Sequence, residues 1–170
     1  TAAWTVTSIE GTPDKLPARE DNQFRLQRNV YTLDGEEAVV GKLSQGQLML
    51  VVLEGEAFSG ESHPALVVDL LPAGFEVENP RLANGLDLEQ FHWLPELSDT
   101  QYIDLLDDRF VAALDIDEHR GEEQKQSFTL AYLVRVVVPG SYFWPPAEVE
   151  DMYRPYLRAR TTSAQVEIAR

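Results

Sequence analysis

Apolar residues recur along this chain in short runs separated by turn residues, and their dominant period is two. Phe24-Arg25-Leu26-Gln27-Arg28-Asn29-Val30-Tyr31 alternates as a half-buried strand does, and Asp34-Gly35 supplies the turn after it. Gln47 to Leu53 and Ala65 to Leu71 are almost continuously apolar, which predicts strands covered on both faces and therefore central. Pro72-Ala73-Gly74 is turn chemistry, and Phe75 to Val77 resumes an extended chain. Tyr102 to Leu105 and Arg109 to Ile116 flank the Asp107-Asp108 turn as a hairpin. Ser127 to Val138 is long, β-branched and aromatic, and is expected at a sheet centre until Pro139-Gly140 ends it. Tyr142-Phe143-Trp144-Pro145-Pro146 looks like an aromatic, proline-rich elbow, and Leu157 to Ile168 offers a terminal strand.

The period changes only once, between Asn84 and Asp99. There Leu88, Phe91 and either His92 or Leu94 fall at helical spacing ahead of Pro95, so one short helix is expected. At the start, Trp4 to Ile9 alternates as a strand that belongs to a neighbouring module or lies at the edge of this one, and Gly11 to Asn22 breaks the pattern with Pro13, Pro17 and charges. The expected organisation is an arm or linker over residues 1–22 and an all-β antiparallel sandwich over residues 23–170.

Composition narrows the function. A chain of 170 residues is long enough to bury roughly 70% of its unfolded surface, so a substantial core is expected. With 29 acidic against 14 basic side chains the net charge is −15, which repels phosphate backbones and argues against nucleic-acid binding. No run approaches the apolar length of a membrane-spanning helix. The absence of cysteine removes disulfides, thiol catalysis and thiolate metal sites from consideration. The chain begins at Thr1 without a signal-peptide pattern, as a piece of something longer is expected to.

Candidate chemistry is sparse. His63, His92 and His119 lie in separate segments without metal-ligand spacing. No G-x-S-x-G elbow or Gly-rich phosphate loop occurs, although spacing alone never excludes a Ser-His-Asp triad. The acidic stretch Asp115 to Glu123 imitates a calcium loop poorly, with Arg120 and Gln126 at the positions where glycine and glutamate belong, and a solvated hairpin tip explains it better. Asp104, Asp107 and Asp108 read as turn residues and a charge pair with Arg109 rather than as cation ligands. No catalytic residue, cofactor or metal is expected. Trp93, Trp144 and Tyr142 leave open a sugar-stacking surface, and a sheet edge or the proline elbow leaves open a structural or protein-docking role in an envelope complex.

Several separated motifs, in order, carry a family likeness: Arg28-Asn29-Val30-Tyr31-Thr32-Leu33-Asp34-Gly35, then Asp69-Leu70-Leu71-Pro72-Ala73-Gly74-Phe75-Glu76-Val77-Glu78-Asn79-Pro80 and Asp107-Asp108-Arg109-Phe110-Val111-Ala112-Ala113. Tyr132-Leu133-Val134-Arg135, Pro139-Gly140-Ser141-Tyr142 and Val149-Glu150-Asp151-Met152-Tyr153-Arg154-Pro155 follow. Together they resemble the C-terminal macroglobulin-like domain of bacterial alpha-2-macroglobulins, from about Gln23 onward. The resemblance implies a periplasmic, lipid-anchored parent protein that traps proteases after a bait region is cut, using a thioester carried by another domain. It also implies that the loop Val149 to Pro155 packs against that thioester domain, with Met152 and Tyr153 shielding the reactive bond and Glu150, Asp151 and Arg154 positioning them by charge-assisted hydrogen bonds. From the residues alone, Met152 and Tyr153 also fit as a packed cap at one end of the sandwich.

Overall fold

The computed structural model describes residues 4–8, 17–78, 87–117 and 126–170. Ile9, Gly11 to Leu16 of the expected linker, Asn79-Pro80, the start of the expected helix at Asn84, and Glu118 to Glu123 with His119 lie outside the described residues. Thirteen strands form among the described ones: β1 Glu20–Asn22, β2 Phe24–Thr32, β3 Leu43–Ser44, β4 Leu48–Ala57, β5 His63–Leu70, β6 Phe75–Glu78, β7 Tyr102–Leu106, β8 Arg109–Ile116, β9 Ser127–Val136, β10 Gly140–Trp144, β11 Ala147–Asp151, β12 Arg158–Arg160 and β13 Ala164–Ala169. They build a six-stranded sheet in the order β1-β12-β11-β5-β8-β7, a four-stranded sheet in the order β2-β4-β9-β6, and a three-stranded sheet in the order β10-β13-β3. All strand pairs are antiparallel except the two-residue contact of β13 with β3. The fold is the expected all-β sandwich.

Alternation explains the packing. On β5, His63, Ala65, Val67 and Asp69 point inward while Pro64, Leu66, Val68 and Leu70 are less covered, and Ala147, Val149 and Asp151 of β11 point the same way. Phe24, Leu26, Met49, Val51, Phe110, Tyr132 and Trp144 fill the space between the sheets. The continuous apolar runs of β4 and β9 have a second cause: Leu50, Val52, Ala131 and Leu133 face outward and are covered by Leu88, Phe91, Trp93 and Leu94. Both faces of this sheet are thus dry. Among the described residues the expected short helix is a single 3-10 turn, Leu88–Gln90. Trp93 donates its indole N–H to the Leu33 carbonyl at 3.1 Å and lies under Gly35, where a Cβ would stand 2.8 Å from the ring and φ is +86°.

The sequence reading needs correction in four places. Residues 4–8 form no edge strand of this sandwich, and Trp4 and Val6 are almost fully exposed. Glu20–Asn22, assigned to the linker, is β1 and pairs with β12, held there by Arg158 and Arg160 on the Glu20 carboxylate at 3.0 and 2.9 Å. A single residue, Gln23 with φ 61°, then swings the chain from the six-stranded sheet into the four-stranded one. The aromatic elbow is strand β10, since Tyr142 and Trp144 turn inward from a ladder with β13, and the expected terminal strand is two, β12 and β13.

Candidate functional site

The loop after β11 is built around one carboxylate. Asp151 is the last inward-facing position of β11, so strand alternation drives its side chain below the surface, where it is fully buried. Burial of an ionised group demands partners, and five N–H donors converge on it. The amides of Tyr153 and Arg154 donate to Oδ1 at 3.0 and 2.8 Å, an Asx turn that bends the chain immediately after the strand. Oδ2 accepts from Arg154 Nε and Nη2 at 3.2 and 2.9 Å and from His63 Nδ1 at 2.8 Å. Burial alone would raise the Asp151 pKa, but the hydrogen bonds from His63, Arg154 and the two amides outweigh it and lower the pKa to about 2.

The main chain closes the loop at its mouth. Asp151 N donates to the Leu157 carbonyl at 3.0 Å, and Met152 N donates to the Pro64 carbonyl at 2.8 Å, extending the contact of β11 with β5 by one residue. Between these ties the side chains of Met152 and Tyr153 project outward, 42% and 84% exposed. The capping alternative for this pair is therefore overturned: the tip stands clear of the core, and the polar residue between strand and tip is the one that is buried.

Of the five residues expected at the site, four meet in this loop. Arg154 bridges Asp151 to Glu61 at 2.6 Å, and these two carboxylates, Glu61 first, raise its pKa. Glu150 does not join them. Its β11 position points to the other face, beside Arg158 of β12, so it does not position the loop as expected. His63 is the residue that sequence reasoning missed. This histidine, which lacks metal-ligand spacing in the sequence, is fully buried, 88 positions from its carboxylate partner, and packs edge-on against Phe24 at 4.9 Å.

Ser59, His63 and Asp151 stand in the hydrogen-bond order of a nucleophilic triad, with Ser59 Oγ on His63 Nε2 and Nδ1 on Asp151. Nucleophilic use also requires N–H groups free to hold an oxyanion. The amides that follow Ser59 are committed, Gly60 to Gln126 Oε1 and Glu61 to Ser59 Oγ itself. These bonds join the turn at Ser59–Glu61 to the loop after β11.

Other expected groups are occupied elsewhere. Trp144 is buried against Phe75 with the Arg28 guanidinium 4.2 Å from its ring centre, while Trp93 covers the opposite face of the four-stranded sheet, so no shared stacking platform for a sugar forms. Asp104 accepts from Tyr102 Oη, and Asp108 takes both Nε and Nη2 of Arg109 at 2.9 and 2.7 Å, the expected charge pair.

A family model for the bacterial alpha-2-macroglobulin MG10 domain matches residues 24–155, which contain both His63 and Asp151. The chain belongs to the bacterial alpha-2-macroglobulin family. It is 38% identical to the alpha-2-macroglobulin of Escherichia coli strain K12 over 98% of this chain and 10% of that protein, and 36% identical to that of Xylella fastidiosa strain Temecula1 over 94% and 10%. Among solved structures it is similar to the native conformation of E. coli alpha-2-macroglobulin, with a TM-score of 0.79 and 34% identity over 94% of this chain and 10% of that one. Salmonella alpha-2-macroglobulin reacted with methylamine gives 0.78 and 36% over the same shares. The macroglobulin domain thus spans about a tenth of the length of these relatives.

Proposed function

We propose that this chain is the noncatalytic C-terminal domain of a protease-trapping alpha-2-macroglobulin, where it packs on the thioester domain and shields the thioester until bait cleavage. The observation that carries this reading is the tip itself: an exposed Met152-Tyr153 pair held rigidly by a buried carboxylate. An activated acyl bond hydrolyses unless water is kept away, and a preorganised apolar tip is what such a lid needs. Relatives are described as activated by porcine elastase and by trypsin, and another as reacted with methylamine, an amine nucleophile suited to attack an activated acyl group. Those descriptions support protease trapping and acyl chemistry for the parent molecule. Trapped proteases would then meet this domain only through the full-length protein, whose proposed location is the periplasm, on a lipid anchor.

The test is performed in the full-length parent. Met152→Ala and Tyr153→Ala should each accelerate spontaneous release of free thiol while leaving the unfolding midpoint of this domain unchanged. Thiol release at the wild-type rate in both variants would sink the shielding role and favour a structural or protein-docking domain of an envelope complex.

A further inference from the structure

We infer that His63 is the positioning residue of the Met152-Tyr153 tip, locking it to the turn before β5 so that tip and turn form one rigid docking element; its importance for shielding rests on the function proposed above. The bonds close a ring. Asp151 Oδ2 accepts from His63 Nδ1–H, which leaves Nε2 as the acceptor for the Ser59 hydroxyl. Ser59 Oγ accepts from the Glu61 amide at 3.1 Å, the Glu61 carboxylate takes Arg154 Nη1 at 2.6 Å, and Arg154 returns to Asp151. Each link is a short polar contact, and three of the five members are side chains on the two loops.

Only histidine completes this circuit, because it offers a donor and an acceptor on opposite sides of one flat ring that also packs on Phe24. The ring is built around a side chain with no exposed surface, so its role is not recognition by His63 itself. Its effect is conformational. Asp151 alone bends the chain, but His63 fixes which way the carboxylate faces and transmits that orientation to the Ser59–Glu61 turn.

The experiment is amide hydrogen exchange on this chain, read at Tyr153, Arg154 and Glu61, with the β4 and β9 amides as internal controls. In His63→Phe, which keeps a ring against Phe24 but has no nitrogen, the three loop amides should exchange at least about tenfold faster while the controls stay protected. His63→Asn places an amide N–H near the Nδ1 position and should restore Tyr153 and Arg154, but not Glu61. Wild-type exchange at all three sites in His63→Phe, or equal acceleration of loop and control amides, would overturn the assignment. So would an Asn variant indistinguishable from Phe at Tyr153 and Arg154. Because these readings need no thioester, loss of loop protection with unchanged thiol release in the parent would keep the role of His63 and reject the shield.

Discussion

Two buried carboxylates lie at opposite ends of the inner face of β5, and they do opposite things. Asp69, on β5 itself, accepts from Arg28 of β2 at 2.7 Å and from Tyr132 of β9 at 2.8 Å. Both partners belong to the four-stranded sheet, and Arg28 also donates to the Pro145 carbonyl and lies over Trp144, so this cluster staples sheet to sheet inside the core. Asp151, on the neighbouring strand β11, binds His63 within its own sheet and spends its other bonds on the loop that follows. Burial is nearly complete in both. What separates them is where the donors sit: an ion pair closed within the core holds layers together, whereas one whose donors come from a loop holds a surface in shape.

The sharpest test of that contrast is the core pair. Arg28→Ala leaves Asp69 buried without its cation, and urea unfolding should show a loss of about 3–5 kcal/mol. Burial already raises the Asp69 pKa against the pull of Arg28, and burial together with Asp69 holds the Tyr132 hydroxyl well above its ordinary value. Replacing all three members by apolar groups, Arg28→Met, Asp69→Leu and Tyr132→Phe together, should recover stability to within about 1–2 kcal/mol of wild type. A single-variant loss under about 1 kcal/mol would mean that the staple is not what joins the sheets.

Asp151→Ala should cost less, about 2–3 kcal/mol, since Arg154 and the freed amides regain water and only His63 is left unsatisfied inside. Unlike Arg28→Ala, it should also strip exchange protection from the Tyr153 and Arg154 amides. If the two variants changed loop protection equally, the division of labour would be wrong.

Acid distinguishes the two ends by sign. The Asp151 pKa of about 2 lies below its unfolded value near 3.9, so its stabilisation is present above about pH 4 and disappears as pH falls toward 2. After allowing for solvent screening at the loop, about 1–2 kcal/mol should be lost. Asp69 is raised, so its ionisation weakens the fold and its protonation in acid opposes that loss. The difference in urea midpoint between wild type and Asp151→Asn should therefore shrink between pH 4 and pH 2. A constant difference would show that the charge on Asp151 is immaterial.

The core end was largely legible from sequence and the loop end was not, for physical reasons. β4, β5, β8 and β9 announce themselves because burial demands apolar residues at every second position or more. Strands β10 and β11 were hidden. Pro145-Pro146 lies between them, and β11 reads Ala-Glu-Val-Glu-Asp, whose acidic residues look like loop although Ala147, Val149 and Asp151 all face inward. The family motif drew attention to Asp151, Met152, Tyr153 and Arg154. His63 had no such signal, because its partners lie four and 88 residues away and only the pairing of β5 with β11 brings them together. An aspartate at an inward position of an otherwise apolar alternation is the one local cue that a distant donor must exist.

The smallest expected effect is also the one that separates function from folding. Met152 and Tyr153 meet solvent in this chain, and neither side chain belongs to the buried core or to the ring of bonds beneath it. Exposed positions of this kind usually change stability by no more than about 0.5 kcal/mol, so Met152→Ala and Tyr153→Ala should leave the urea midpoint within that margin. A larger loss would mean that the tip folds back on the sandwich and serves the domain itself. A neutral result would leave the Met152 and Tyr153 side chains presented to water without any gain from them in the stability of this chain. That outcome is what the proposed shielding role requires, and under that proposal the same two substitutions should reveal their cost in the full-length parent.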